Sequence, residues 1–177
     1  MKSKVISFII GGIIGFMAWH IQVTAWAATP VGYTEIQEYA VDDPEEYMET
    51  NYVDIPEDVR EICESYGEEY GICAEVLEAL AWRESRCTDA QNGNCKGIAQ
   101  INGVIHKDRM RKLGVSDLHN FDQNIHVATD YLMELYESNG DLAQSLDEYN
   151  GNGKGGKSKY AKQILTVASC LDRTGGD

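Results

Sequence analysis

Apolar residues recur at helical spacing through most of the chain beyond residue 54. Val59, Ile62, Cys63 and Tyr66 line one face of a helix that opens at Pro56, with Glu57 and Asp58 in its first turn, and runs to Gly67. A second helix follows at once with Val76, Leu77, Leu80 and Ala81 on its face, and it carries Trp82, Arg83 and Glu84 at its C-terminal end. From Cys87 to Gly103 the periodicity stops and Asn and Gly dominate, which predicts turns and a small hairpin at Asn92-Gly93. Helical patterning then resumes. A short basic helix spans 104–113 and stops at Gly114. A longer one presents Ile125, Ala128, Leu132 and Leu135 and stops at Asn139-Gly140. Asp141 is placed to cap a helix bearing Leu142, Leu146 and Tyr149, and Ser158 to cap a last one bearing Tyr160, Ile164, Val167, Ala168 and Leu171. The pattern predicts a mainly α domain over residues 55–177, with one irregular or hairpin segment wedged between helices.

The N-terminal third reads differently. Lys2 and Lys4 precede an apolar run from Val5 to Trp19, and small residues follow at Ala25-Trp26-Ala27-Ala28. Residues 1–28 are therefore expected to be an export signal cleaved after Ala27 or Ala28. The alternative is a retained anchor, since residues 5–28 are long enough to cross a bilayer. Both readings place the domain outside the membrane, extracellular or at the cell envelope. Residues 29–54 hold Pro30, Gly32 and Pro44 among acids without a sustained period, and are expected to be an acidic linker.

Charge sharpens this division. The chain carries a net −14, and residues 35–78 alone hold 16 carboxylates against one base, Arg60. The simplest account is a solvated acidic tether. No basic face is available for a nucleic-acid backbone. The five cysteines, Cys63, Cys73, Cys87, Cys95 and Cys170, suit an exported chain. Cys87 and Cys95 flank the Asn92-Gly93 turn, so a local disulfide between them is expected, leaving one thiol over if the rest pair. Neither Cys-x-x-Cys nor His-x-x-x-His spacing is present, and no metal site is expected.

Glu84 is the leading candidate for chemistry. A carboxylate at the end of an apolar helix, before a turn-rich segment, has its proton affinity raised by burial, which suits a general acid. By residue type alone it would instead pair with Arg83 or Arg86 at the surface. A second motif competes: Gly151 to Ser158 fits the phosphate-binding pattern G-x-x-x-x-G-K-S. That pattern works between a strand and a helix, whereas this run follows a helical segment, so no nucleotide is expected and a glycine-rich connection between helices is the better reading.

Around Glu84 stands a spaced set: Tyr70-Gly71-Ile72, Glu84-Ser85, Gly97-Ile98-Ala99-Gln100, Asn124-Ile125, Tyr131-Leu132 and Tyr149-Asn150-Gly151. In order and spacing it resembles the soluble lytic transglycosylase family, whose catalytic domain is similar to goose-type lysozyme. The resemblance implies a lysozyme-like helical fold and cleavage of peptidoglycan glycan strands with no cofactor. It implies that Glu84 is the sole acid/base, that Ser85 organises the site, and that Gly97 and Gln100 keep the backbone close and meet the substrate's N-acetyl region. Tyr149 and Asn150 would stand beside the acid and support the cleft, while Asn124 is a structural helix-start residue. Two positions depart from the family pattern: Ile98-Ala99 replaces leucine-methionine, and Glu148 replaces an alanine. Glu148 and Asp89 are the candidates for a second carboxylate, which a hydrolytic muramidase would need. A catalytically silent wall-binding protein is the other alternative. A small domain of this kind suits local wall opening for a secretion, conjugation or phage machine.

Overall fold

The computed structural model describes residues 29–153, 155 and 158–174. The expected export signal at residues 1–28 lies outside them. Among the described residues no helix is long and apolar enough to cross a membrane.

The central element is α4 (Ala74–Ser85), whose residues Val76 to Trp82 are all buried. A helix buried on every side must have neighbours on every side. α3 (Glu57–Tyr70) packs along one face and α8 (Lys159–Thr174) along another. α6 (Phe121–Asn139) lies against α3, α7 (Leu142–Tyr149) joins α6 to α8, and the short α5 (Lys107–Leu113) rests on α6. Between α4 and α5 the chain forms a three-stranded antiparallel sheet of β1 (Gln91–Asn92), β2 (Cys95–Lys96) and β3 (Ile101–Asn102). Asn92 pairs with Cys95 and Lys96 with Ile101, and Gly93 turns the first hairpin at φ 60°. The mainly α reading with a hairpin segment therefore holds.

Local signals placed the ends well. Gly114 and Gly140 close α5 and α6 in the left-handed conformation, and the Asp141 side chain accepts the Gln144 N–H at the start of α7. The first helix differs: α3 passes through Gly67 and ends at Tyr70, with Gly71 as its left-handed cap. Gly67 serves packing instead, because a Cβ there would meet the Ile72 carbonyl at 2.9 Å.

Residues 29–54 do not form a linker. They contain α1 (Tyr33–Gln37) and α2 (Pro44–Asn51), both packed on α8. Ile36 is fully buried, Val31 forms a parallel bridge with Ile72, and the Trp82 indole N–H donates to the Tyr52 carbonyl at 3.3 Å. Helices of five and eight residues are too short to show a period, and their few anchors are diluted by surface acids. The acidic run is accordingly a fixed face of the fold and not a solvated tether.

The expected Cys87–Cys95 bridge is also absent: neither Cys87 nor Cys95 is in a disulfide. Cys87 turns inward after α4, where it lies near Glu78 and Cys63, while Cys95 sits half-exposed on β2. The hairpin pairs Cys95 with Asn92, whereas Cys87 precedes β1 and is buried in the core, so the two thiols face different surroundings.

Candidate active site

The end of α4 is built to deliver a side chain. Arg86 and Cys87 both adopt positive φ, 58° and 55°, a conformation unfavourable for residues with a Cβ. Surrounding bonds hold this exit. The Arg86 guanidinium lies 3.9 Å from the Trp82 ring centroid and donates to the Trp82 carbonyl, and the Ser85 hydroxyl donates to the Ile98 carbonyl at 2.7 Å while accepting the Thr88 N–H. Ser85 thus ties the helix end to the Gly97–Gln100 segment.

That segment is fixed from the other side by Asn124, which is fully buried. Its Oδ1 accepts the Ala99 N–H at 2.8 Å, and its amide donates to the carbonyls of Lys96 and Leu118, each at 2.9 Å. Such close approach requires Gly97: a Cβ there would lie 2.0 Å from the Leu118 carbonyl oxygen and 2.3 Å from Asn124 Nδ2. Gln100, at φ 51°, donates its amide to the Ala90 and Gly97 carbonyls, both at 2.9 Å. With both hydrogens spent, the group it can offer a ligand is its carbonyl oxygen.

Glu84 is half-buried one residue before the helix end. Burial raises its pKa above the ordinary glutamate value, opposed by a hydrogen bond from the Tyr160 hydroxyl and by the nearby Arg83 charge. Arg83 sits over the Tyr160 ring at 5.1 Å. Burial and Glu84 together keep Tyr160 and Tyr149 neutral, their pKa values pushed far above the ordinary tyrosine range. Tyr149 donates its hydroxyl to the Ala99 carbonyl at 2.8 Å, so the two motif segments meet beside the acid.

In front of them lies a cleft of about 270 Å³ lined by Cys95, Gln100, His106, Tyr131, Glu148, Tyr149 and Asn150, with Ile105, 73 % exposed, at its rim. His106 packs on Tyr131 at 4.4 Å between centroids, and Tyr131 on Tyr149 at 5.3 Å. Burial and Arg109 lower the His106 pKa, which favours the neutral ring. Glu148 accepts a hydrogen bond from Asn139 at 3.2 Å. Asp89 is exposed and pairs with His119 at 2.9 Å. A larger cavity, about 440 Å³, opens between Tyr33, Glu68 and Cys73, and contains none of the motif residues. Among the described residues no group of three or more His, Cys, Asp or Glu is arranged to hold a metal.

The cleft therefore unites Gln100, Glu148, Tyr149 and Asn150, with Glu84 coupled to it through Tyr149. Ser85 and Gly97 act behind the wall. By its spacing alone Tyr160 is only a face residue of the last helix. Its signal was a hydroxyl among apolar neighbours, which requires a partner when buried. His106 and the role of Tyr131 were missed because nothing in the local sequence distinguishes a cleft ring from a surface one. The glycine-rich run follows α7, a helix, and the hydroxyl of Ser158 donates to Asp147.

A helical domain in which a buried helix presents a carboxyl beside a small hairpin and an open cleft has the lysozyme-like architecture. The model of the transglycosylase SLT domain matches residues 61–167, more than half of the 177-residue chain, and the chain belongs to that family. The family is one of peptidoglycan-cleaving, lytic-transglycosylase-type enzymes. No curated protein gives a match.

Proposed function

We propose that this protein is an exported lytic transglycosylase that cleaves the β-1,4 bond between N-acetylmuramic acid and N-acetylglucosamine and leaves 1,6-anhydromuramyl ends. The observation that carries the reading is Glu84: a half-buried carboxyl of raised pKa, held by Tyr160 and adjoining the cleft. A raised pKa keeps the proton on Glu84 toward neutral pH, so it can protonate the glycosidic oxygen as the bond to the muramyl anomeric carbon breaks. The muramyl N-acetyl group stabilises the cationic carbon, and the Gln100 carbonyl oxygen is an acceptor for an acetamido N–H. Glu84, now ionised, takes the proton of the muramyl 6-hydroxyl as that oxygen closes on the same carbon. The proton returns to Glu84 and no water is consumed.

Water-using muramidase activity is favoured by one observation, the presence of Glu148 in the cleft lining. Hydrolysis needs a second carboxylate to activate water or trap the sugar. Glu84→Gln separates catalysis from binding. Its turnover on purified sacculi should fall by roughly 100- to 10,000-fold, the usual worth of general acid/base help. Turnover at the wild-type rate would remove Glu84 from the mechanism.

A further inference from the structure

Asp147 is 3 % exposed, and the proposed reaction gives it no task. Buried carboxylates persist when hydrogen-bonded. Here both bonds come from one residue: Asp147 accepts the Ser158 backbone N–H at 3.3 Å and the hydroxyl of the same serine. On its own side Asp147 is fixed in α7, between buried Leu146 and the cleft residues Glu148 and Tyr149, and its carbonyl accepts the Asn152 N–H at 2.9 Å.

Ser158 stands at the entry to α8. Its oxygen accepts the Ala161 N–H at 3.2 Å, and its carbonyl accepts the Lys162 N–H at 3.2 Å. The hydroxyl thus gives its single hydrogen to Asp147 and its lone pair to the helix. Two residues on, Tyr160 places its hydroxyl on Glu84. A continuous chain of contacts runs from α7 through the first turn of α8 to the acid on α4.

We propose that Asp147 is a positioning residue for the reaction: by fixing Ser158 it sets where α8 begins, and so holds the Tyr160 hydroxyl against Glu84. This rests on the reading of Glu84 as the acid/base. Around Glu84 the titratable and charged groups are Arg83 on its own helix, Tyr149 on α7 and Tyr160 on α8, and Tyr39 faces Asp147. The Tyr160 bond favours the ionised acid, so loosening it moves the Glu84 pKa upward. The acid then stays protonated to higher pH, and the basic limb of the rate profile shifts up while productive geometry is lost.

The test measures kcat, KM and their pH profiles on solubilised sacculi, with thermal midpoints alongside, for Ser158→Ala, Ser158→Asp, Ser158→Thr and Tyr160→Phe. Ser158→Asp can cap α8 but has no hydrogen for Asp147. Should it unfold, Ser158→Gly keeps most of the capping strength and reads the same loss. Ser158→Ala and Ser158→Asp should lower kcat about 10- to 100-fold with KM within about twofold, the scale of a small misplacement at a reacting centre. Both should move the basic limb in the direction of Tyr160→Phe, Ser158→Thr should restore it, and adding Ser158→Ala to Tyr160→Phe should lower kcat no further. Wild-type kcat and an unshifted limb in Ser158→Ala and Ser158→Asp would overturn the positioning role, as would a loss confined to thermal stability. Full activity in Glu84→Gln would instead overturn the underlying reading.

Discussion

α4 carries two carboxyls of raised pKa, and replacing each by glutamine should have opposite consequences. Glu78, 3 % exposed, has its pKa pushed up to about 7 from an ordinary 4.5, chiefly by burial and against the pull of Arg60 at 3.4 Å. A carboxyl whose folded pKa lies above its unfolded one binds its proton more tightly in the folded state. Its contribution to stability is fully present below pH 4.5 and is lost as pH rises through about 7. Each tenfold change in proton affinity is worth about 1.4 kcal/mol, so ionising Glu78 at pH 8 costs the fold about 3 kcal/mol. That is a sizeable share of the 5–15 kcal/mol typical of a domain. Glu78→Gln keeps the volume and removes the charge. It should raise the thermal midpoint at pH 8 by on the order of 5–10 °C, change it little at pH 4, and leave sacculus cleavage unaltered. Thermal melts of both proteins from pH 4 to 8 read this directly. A variant no more stable than wild type at pH 8, or a gap that does not open between pH 4.5 and 7, would refute the reasoning.

Gly97→Ala should abolish cleavage and lower stability by about 3 kcal/mol or more, because its Cβ collides with the Leu118 carbonyl and Asn124 at a positive φ of 75°; a soluble variant with wild-type activity and melting would contradict the packing described. Asn124→Leu removes three bonds that fix the motif segment, and should lose activity along with about 3 kcal/mol of stability, measured by urea denaturation. Alkylation of the native protein should label half-exposed Cys95 first and buried Cys63, Cys87 and Cys170 only after unfolding; peptide mapping that recovers Cys87 joined to Cys95 would restore the bridge.

What the sequence made legible was local. Gly114, Gly140 and Asp141 end or begin helices through their own backbone and side-chain chemistry, so their roles are visible without neighbours. Gly93 likewise turns its hairpin alone. Glu84 became conspicuous only through partners spaced along the chain, and Asn124, expected as a structural residue at a helix start, proved to be a buried node with three bonds. What was hidden depends on tertiary packing. α1 and α2 are stabilised by α8, more than a hundred residues away, and not by any period of their own. The cysteine pairing failed because proximity in sequence says nothing about which surroundings each thiol faces. Tyr160 reaches Glu84 across 76 positions, and only the fold brings α8 to the end of α4.

In the proposed reaction one acid, Glu84, performs both proton transfers without water. The most direct measurement is the mass of the muropeptides that purified protein releases from sacculi. A single acid acting in both steps gives anhydromuramyl ends, one water lighter than hydrolytic products, that disappear with Glu84→Gln. Hydrated reducing ends alone would contradict it and transfer the second role to a partner carboxylate, with Glu148 the first to replace.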